Sequence, residues 1–411
     1  MEADPPLLVC TYAGPLGIAR ERVTVDNVTV KLGHPRTLMK RFIVHIGHVK
    51  TGSSTIQAAL RKNQEELANA DCVFFDRESI KTNLTSFQNK STNPTNDRSV
   101  LQEIGNTQEN LLAKQAREYD TVIVSDEALA RTKLERTRAI LDEIWPYKKE
   151  VHFIVYIREP VEHYTSLMAY RLPDNRNIYS PTRYKHLAYE KLNEFRQIGD
   201  LTFRKFERTA LIDGDVQIDF ETILTGILQR RLDFQRVKSK NVSLTAEQGV
   251  FLNRYIRSFQ PEFLEQNQKI IAWLVRLFKV ANNDLRIGTK LRLKPSVQRL
   301  VQENCIDFFK AMSRLDPGLK WEPHDFSSIY DCDWTDDGRV ESIVDEFDED
   351  LVREYQVFVP FSDGGELKIS EESYKNGLLD FYKSNGIENI SRPLLGNLKK
   401  FFSLSEGTDT R

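Results

Sequence analysis

Cysteine is scarce in this chain: Cys10, Cys72, Cys305 and Cys332 lie far apart, and no C-x-x-C pair occurs. Such spacing argues against a disulfide framework and a thiolate metal site, and it suits a reducing compartment. Long apolar runs are missing as well. No stretch approaches the roughly 20 apolar residues that a membrane-spanning helix requires. A secretory leader is not evident, because MEADPPLLVCTYAGPLGIARERV puts acids and prolines where lysines and an apolar block would stand. Neither sign of charge dominates. A net charge of −2 gives no global pull toward nucleic acid or anionic membrane, so any basic site must be local. The N-x-[ST] sequons at Asn27, Asn83, Asn89, Asn241 and Asn389 are ordinary in a chain this rich in Asn, Ser and Thr. These absences predict a cytoplasmic protein with no transmembrane segment and no nucleic-acid partner.

What is present can build a core: 40 % apolar and 29 % charged residues over 411 positions, enough for one large domain or two ordinary ones. Four β-rich runs stand out, FIVHI (42–46), TVIVS (121–125), VHFIVYI (151–157) and LTFRKF (201–206). Helical patterns lie between them, including IQAALRKNQEELANA (56–70) and the approach AREYDT. Continuous apolar strands separated by helices predict a parallel sheet covered on both faces. The Asn/Ser/Thr-rich stretch 82–99 predicts a loop. Beyond 240, EQGVFLNRYIRSF, QKIIAWLVRLF and SVQRLVQENCIDFFKAM carry apolar residues at helical spacing. The chain thus divides into an appended segment 1–40 with a hairpin-like VTVDNVTV, a main domain 41–330, and an acidic extension 331–411. Its run 331–350 reads as a solvated surface.

The first β-rich run leads into GHVKTGSST. Gly47 and Gly52 have the spacing of the NTPase phosphate loop G-x-x-x-x-G-K-[ST], but Ser53 stands in the lysine's place and Lys50 lies inside the loop. A strand ending at Ile46 or Gly47 and a helix starting near Ser53 aim backbone N–H groups and the positive helix end at an anion. Ser53, Ser54 and Thr55 add hydroxyls, and Lys50 adds a charge. A Gly/Ser N-cap beside a surface lysine would look the same. The third run leads into REPVEHYTSLMAYR, where Pro160 suits the first turn of a helix. Arg158 then stands at a strand end, where a guanidinium is costly unless it meets an anion, and Ser166 lies two turns into the helix. Pairing of Arg158 with Glu159 or Glu162 is the alternative.

Together KTGSST (50–55) and REPVEHYTS (158–166) resemble the cofactor-binding loops of the sulfotransferase superfamily, which uses 3′-phosphoadenosine 5′-phosphosulfate (PAPS). The resemblance covers about 41–330 and points to bacterial carbohydrate-type members. It implies an α/β fold, a P-loop-like three-layer α/β/α arrangement with a central parallel sheet and a helical C-terminal part, with 41–330 as the catalytic domain. It implies that Lys50, Thr51, Gly52, Ser53, Ser54 and Thr55 cradle the 5′-phosphosulfate, and that Arg158 and Ser166 hold the 3′-phosphate. Lys240, beside Asn241 and Ser243, is either a third contact or a surface lysine. The product would be 3′,5′-adenosine bisphosphate, and no metal is expected.

In sulfuryl transfer, charge builds on the oxygen that leaves, and Lys50 is the residue to stabilise it. The acceptor hydroxyl needs a base. Ser125–Glu127 fits an S-x-E arrangement of such members, which makes Glu127 the first candidate and Asp126 the second. N-capping by Ser125 or Asp126 is the competing reading. Among the histidines, His45 is expected in the core, His48 in the loop, and His163 facing away on its helix; none belongs to a metal motif. The basic run RIGTKLRLKPSVQR (286–299) either attracts an anionic acceptor or is a solvated face. The expected activity is transfer of a sulfuryl group to a hydroxyl of a small molecule or glycan. A kinase-like P-loop NTP enzyme and a catalytically silent nucleotide-binding scaffold are the alternatives.

Overall fold

The β-rich runs become the strands of one sheet, and a fifth strand joins them. In the computed structural model the described residues are 39–83, 111–171, 178–186, 189–237, 243–258, 264–285, 288–319, 321–329, 334–359 and 371–384. All of them belong to the unit Leu38–Arg411. The hairpin-like VTVDNVTV, the stretch 84–99 and Lys240 lie outside the described residues. Strands β1 (Lys40–Ile46), β2 (Cys72–Asp76), β3 (Thr121–Asp126), β4 (Lys149–Ile157) and β5 (Asp200–Lys205) form a sheet in the order β2-β3-β1-β4-β5. Every pairing is parallel. The sheet was expected; β2 was not, because CVFFD is short and sits directly after a helical pattern.

Side-chain alternation explains why the strands read as continuous apolar runs. Phe42, Val44 and Ile46 of β1, Val122 and Val124 of β3, and Val151, Phe153, Val155 and Ile157 of β4 enter one core. Their neighbours Ile43, Ile123, Ile154 and Tyr156 enter a second core on the opposite face. Successive residues of a strand point to opposite faces, so a strand buried on both is apolar at nearly every position, and the polar exceptions His45 and Ser125 bond each other. Helices cover both faces, an arrangement compatible with three layers. Helix α1 (Ser53–Lys62) contributes Ile56 and Leu60 to the second core. Helix α2 (Pro160–Arg171) contributes Val161, Tyr164 and Met168 to the first. Helix α3 (Val216–Leu228) packs Val216, Phe220 and Leu224 beside α1. Helices α4 (Ala246–Ser258) and α5 (Leu264–Leu285) extend the first core with Phe251, Leu274 and Phe278.

An ion pair with one buried member, Asp219, and a partly exposed one, Arg204, ties β4, β5 and α3 together. Asp219 is fully buried; its Oδ2 accepts from the Tyr156 hydroxyl at 2.8 Å and from Arg204 Nε at 3.0 Å, and Oδ1 accepts from Arg204 Nη2. Such a pair is stable only because each remaining lone pair is bonded.

Two expectations change. The helical pattern 56–70 breaks at Asn63, whose amide Nδ2 donates to the Ala59 carbonyl at 2.8 Å while its Oδ1 accepts from Gln235 N at 2.7 Å. A side chain that bonds the backbone offers an alternative to helix continuation. The acidic run is not simply a solvated surface. Within it Val340, Ile343 and Val344 lie in the first core, while Glu341 and Glu349 meet Arg254 of α4 at 2.6 and 2.7 Å. Its charge density hid an apolar face. Among the described residues no helix is long and apolar enough to cross a membrane.

Candidate functional site

At the carboxyl edge of the sheet the chain leaves neighbouring strands toward opposite faces. From β1 it enters α1, in the second core, whereas from β3 it reaches the helix Leu134–Ile144 and from β4 it enters α2, both in the first. Such a divergence opens a crevice above the central strand, where open α/β sheets bind ligands. A cavity of about 370 Å³ lies there, lined by Lys50, Gly52, Ser53, Ser54 and Glu127 and by residues of α2 and α5.

The loop is shaped by two left-handed residues, Lys50 at φ 68° and Gly52 at φ 78°. Gly52 admits no side chain, since a Cβ there would come within 2.7 Å of the Phe206 ring. Gly47 is equally confined, with a Cβ falling 2.6 Å from Ser53 Oγ and 2.8 Å from Glu127 Cγ. The N-terminus of α1 has no side-chain cap. In its first turn the Thr55 amide bonds the Gly52 carbonyl, which leaves the Ser53 and Ser54 amides as the donors an anion at the loop could use. Thr51 is fully buried and donates its hydroxyl to the His48 carbonyl at 2.7 Å, which makes it a brace of the loop. Ser53 donates to the same carbonyl at 3.3 Å and also bonds Glu127. Ser54 is exposed at the cavity, and Thr55 continues the helix with its amide 2.9 Å from the Gly52 carbonyl.

Lys50 extends across the cavity, its ammonium 4.8 Å above the ring of Tyr170. Burial, and then the neighbouring charges of Lys279 and Arg158, lower its pKa, while Glu127 opposes the shift. Arg158 Nη1 lies 3.5 Å from the Lys50 carbonyl oxygen, so the two motifs meet. The alternative partner is also present, since Arg158 Nη2 bonds Glu162 at 3.0 Å. Ser166 is half-buried on α2, and Leu167, Tyr170 and Arg171 of the same helix line the cavity.

Asp126, the last residue of β3, and Glu127, the first residue after it, separate by role. Asp126 is fully buried and caps the turn after β3, its Oδ1 accepting from Ala128 N at 2.8 Å, with Arg77 Nε at 3.7 Å. Glu127 faces the cavity. Burial raises its pKa, the Ser53 hydrogen bond lowers it, and the charge of Asp126 raises it further.

The histidines supply what the sequence concealed. His45 is a core residue as expected: fully buried, bonded through Nδ1 to Ser125 Oγ at 2.8 Å, with burial driving its pKa down to about 3. His163 does not face away. Its Nε2 donates to the Val49 carbonyl at 2.9 Å, and its Nδ1 accepts from the Tyr184 hydroxyl at 2.6 Å. His186 Nε2 donates to the Arg158 carbonyl at 3.0 Å. His48 stacks on His163 with ring centroids 4.3 Å apart. The three rings place nitrogen atoms within 4.8 Å of one another, close enough to suggest cation ligation, yet both nitrogens of His163 already have protein partners. What the cluster does in this state is pin the backbone of both loops. No sequence spacing announced it, because 48, 163 and 186 belong to three separate elements.

Fold and site together define an α/β chain with a glycine-bearing loop and a cavity at the carboxyl edge of a parallel sheet. Compared with known proteins, it matches no family model, no curated protein and no solved structure.

Proposed function

We propose that the chain is a PAPS-dependent sulfotransferase of P-loop-like fold that transfers a sulfuryl group to an acceptor hydroxyl, on a carbohydrate in preference to other small molecules. The observation that carries this reading is the meeting of Lys50 and Arg158. Lys50 lines the cavity beside an uncapped helix N-terminus, and its carbonyl accepts from Arg158, which comes from a separate strand end. The donor set suits the nucleotide: the Ser53 and Ser54 amides and Lys50 for the phosphosulfate, and Arg158 with Ser166 for the second phosphate. Bound there, PAPS would supply the activated sulfuryl group.

The chain's own residues do the rest. Lys50 offers positive charge where a phosphate leaves, in a partly buried setting that strengthens the interaction. Glu127, with a raised pKa and a place in the cavity wall, takes the proton of the acceptor hydroxyl. Asp126 serves as a cap, and Lys240 plays no part in the reading. No residue is assigned to a metal. A cytoplasmic setting suits the free thiols of Cys72 and Cys305.

One observation favours a second reading, an NTP enzyme: Asp126 ends β3 beside β1, where a magnesium-binding acid can stand. Calorimetry separates the two. Micromolar-class binding of 3′,5′-adenosine bisphosphate without magnesium supports sulfuryl transfer, and preference for ATP–Mg2+ overturns it.

A further inference from the structure

Lys50 holds a left-handed backbone without being glycine, and the peptide groups on both sides of it are gripped from outside the loop. The carbonyl before it, on Val49, accepts from His163 Nε2 at 2.9 Å, and its own carbonyl faces Arg158 Nη1 at 3.5 Å. The Thr51 amide bonds the His48 carbonyl at 3.2 Å, so residues 48–51 form a β-turn with Val49 and Lys50 at its centre. Most residues in such a turn take type I, where both central φ angles are negative. Here Lys50 alone of the four has a positive φ, the type II pattern, which favours glycine or asparagine at that position. The two types differ by a flip of the central peptide, whose carbonyl belongs to Val49. That is the group His163 holds.

The donor is itself fixed. His163 is 4 % exposed and stacks on His48 with ring centroids 4.3 Å apart. A carbonyl can only accept, so Nε2 carries the ring proton, and the Tyr184 hydroxyl, 2.6 Å from Nδ1, donates to the other nitrogen and locks that tautomer. Two residues on, His186 Nε2 donates to the Arg158 carbonyl at 3.0 Å. One short segment, 184–186, therefore steadies both the donor to Val49 and the strand end that carries Arg158. Strained backbone persists where its surroundings over-determine it, and such places cluster at functional sites.

We infer that His163 is a positioning residue: its bond to the Val49 carbonyl selects the turn that carries Lys50 over the cavity, and so presets the lysine's charge for the nucleotide. The nucleotide half rests on the sulfuryl-transfer reading, while the choice of turn is observable without a ligand.

The test uses the full chain, first with no ligand. NMR on protein labelled at valine and lysine should show a strong contact between the Val49 Hα and the Lys50 amide proton, the mark of a type II turn. In His163→Leu that contact should weaken at least about threefold as the central peptide flips. An unchanged contact overturns the inference alone. Calorimetry with 3′,5′-adenosine bisphosphate follows. His163→Leu should bind about tenfold more weakly, and His163→Gln, which keeps an N–H donor, should stay within about threefold of wild type. Tyr184→Phe, which frees the tautomer, should fall between them. In a Lys50→Ala background His163→Leu should change the affinity by less than about twofold, because the charge it positions is absent. An equal loss in both backgrounds, or His163→Gln as weak as His163→Leu, shows that the ring only packs and also overturns the inference alone. If the wild-type chain binds no bisphosphate, the sulfuryl-transfer reading falls and the positioning role falls with it.

Discussion

Arg158 Nη1 stands 3.5 Å from the carbonyl oxygen of Lys50, although 108 positions separate the two residues in the chain. Parallel pairing of β1 with β4 brings the two strand ends to one edge and so creates this contact. Its other bond, to Glu162, is an exposed i,i+4 pair, a kind worth little to stability. Arg158→Ala should therefore leave the melting temperature nearly unchanged. It should weaken bisphosphate binding by about 10- to 100-fold, the range of one or two charge-assisted hydrogen bonds. Calorimetry and a thermal melt on the same sample check both halves.

The two left-handed residues of the loop predict opposite outcomes. Lys50 at φ 68° carries a Cβ in a conformation that costs an L-residue roughly 1–2 kcal/mol. Lys50→Gly should fold at least as stably as wild type yet lose turnover, because the charge is gone. Gly52→Ala should lose about 1–3 kcal/mol, since a methyl group there meets Phe206 at 2.7 Å and φ is also unfavourable. Urea midpoints distinguish them. A large stability loss in Lys50→Gly would mean that the lysine side chain holds the loop.

Glu127 ties activity to pH. Its folded pKa lies above the ordinary glutamate value, chiefly through burial. Turnover should rise as pH climbs through that raised value and the carboxylate becomes a base. Stability moves the other way: the folded state binds the proton more tightly, so this contribution is complete below the unfolded pKa and fades as pH rises through the folded one. Glu127→Gln should thus abolish turnover and spare bisphosphate binding. It should also be more stable than wild type at neutral pH, with the difference closing in acid. Unchanged turnover would move the base elsewhere.

His45 gives the converse slope. Its pKa falls from 6.5 to about 3 because the ring is buried between Tyr156 and Phe220. At neutral pH both states are uncharged and nothing is gained. As pH drops below 6.5, the unfolded chain takes up a proton that the folded chain refuses, and stability is lost until pH reaches about 3. One proton corresponds to about 1.4 kcal/mol per pH unit. In His45→Phe the acid-side slope of denaturant-derived stability should shrink by about that amount, and an unchanged slope would show that the ring is not the proton acceptor.

A close acquaintance between sequence and outcome holds for the strands and for the first loop. FIVHI and VHFIVYI declare themselves because a strand buried on both faces must be apolar at nearly every position, His45 being a buried exception, and Gly52 suits the left-handed backbone that closes the loop. REPVEHYTS likewise announces a strand end and a helix start through Arg158 and Pro160. These features depend on local chemistry, so the sequence by itself determined the parallel sheet, the loop at its carboxyl edge, and the charges available there. Other features exist only as contacts between distant segments. The break at Asn63 needs Gln235, the His48–His163–His186 cluster needs three elements in one place, and Lys279 reaches the cavity on a helix that shows no sign of the site. The choice of Asp126 as cap and Glu127 as cavity acid also belongs to the tertiary structure. Asp126 ends β3 and Glu127 opens the turn that follows, so Asp126 meets Ala128 N and Arg77 inside the protein while Glu127 bonds Ser53 at the cavity wall.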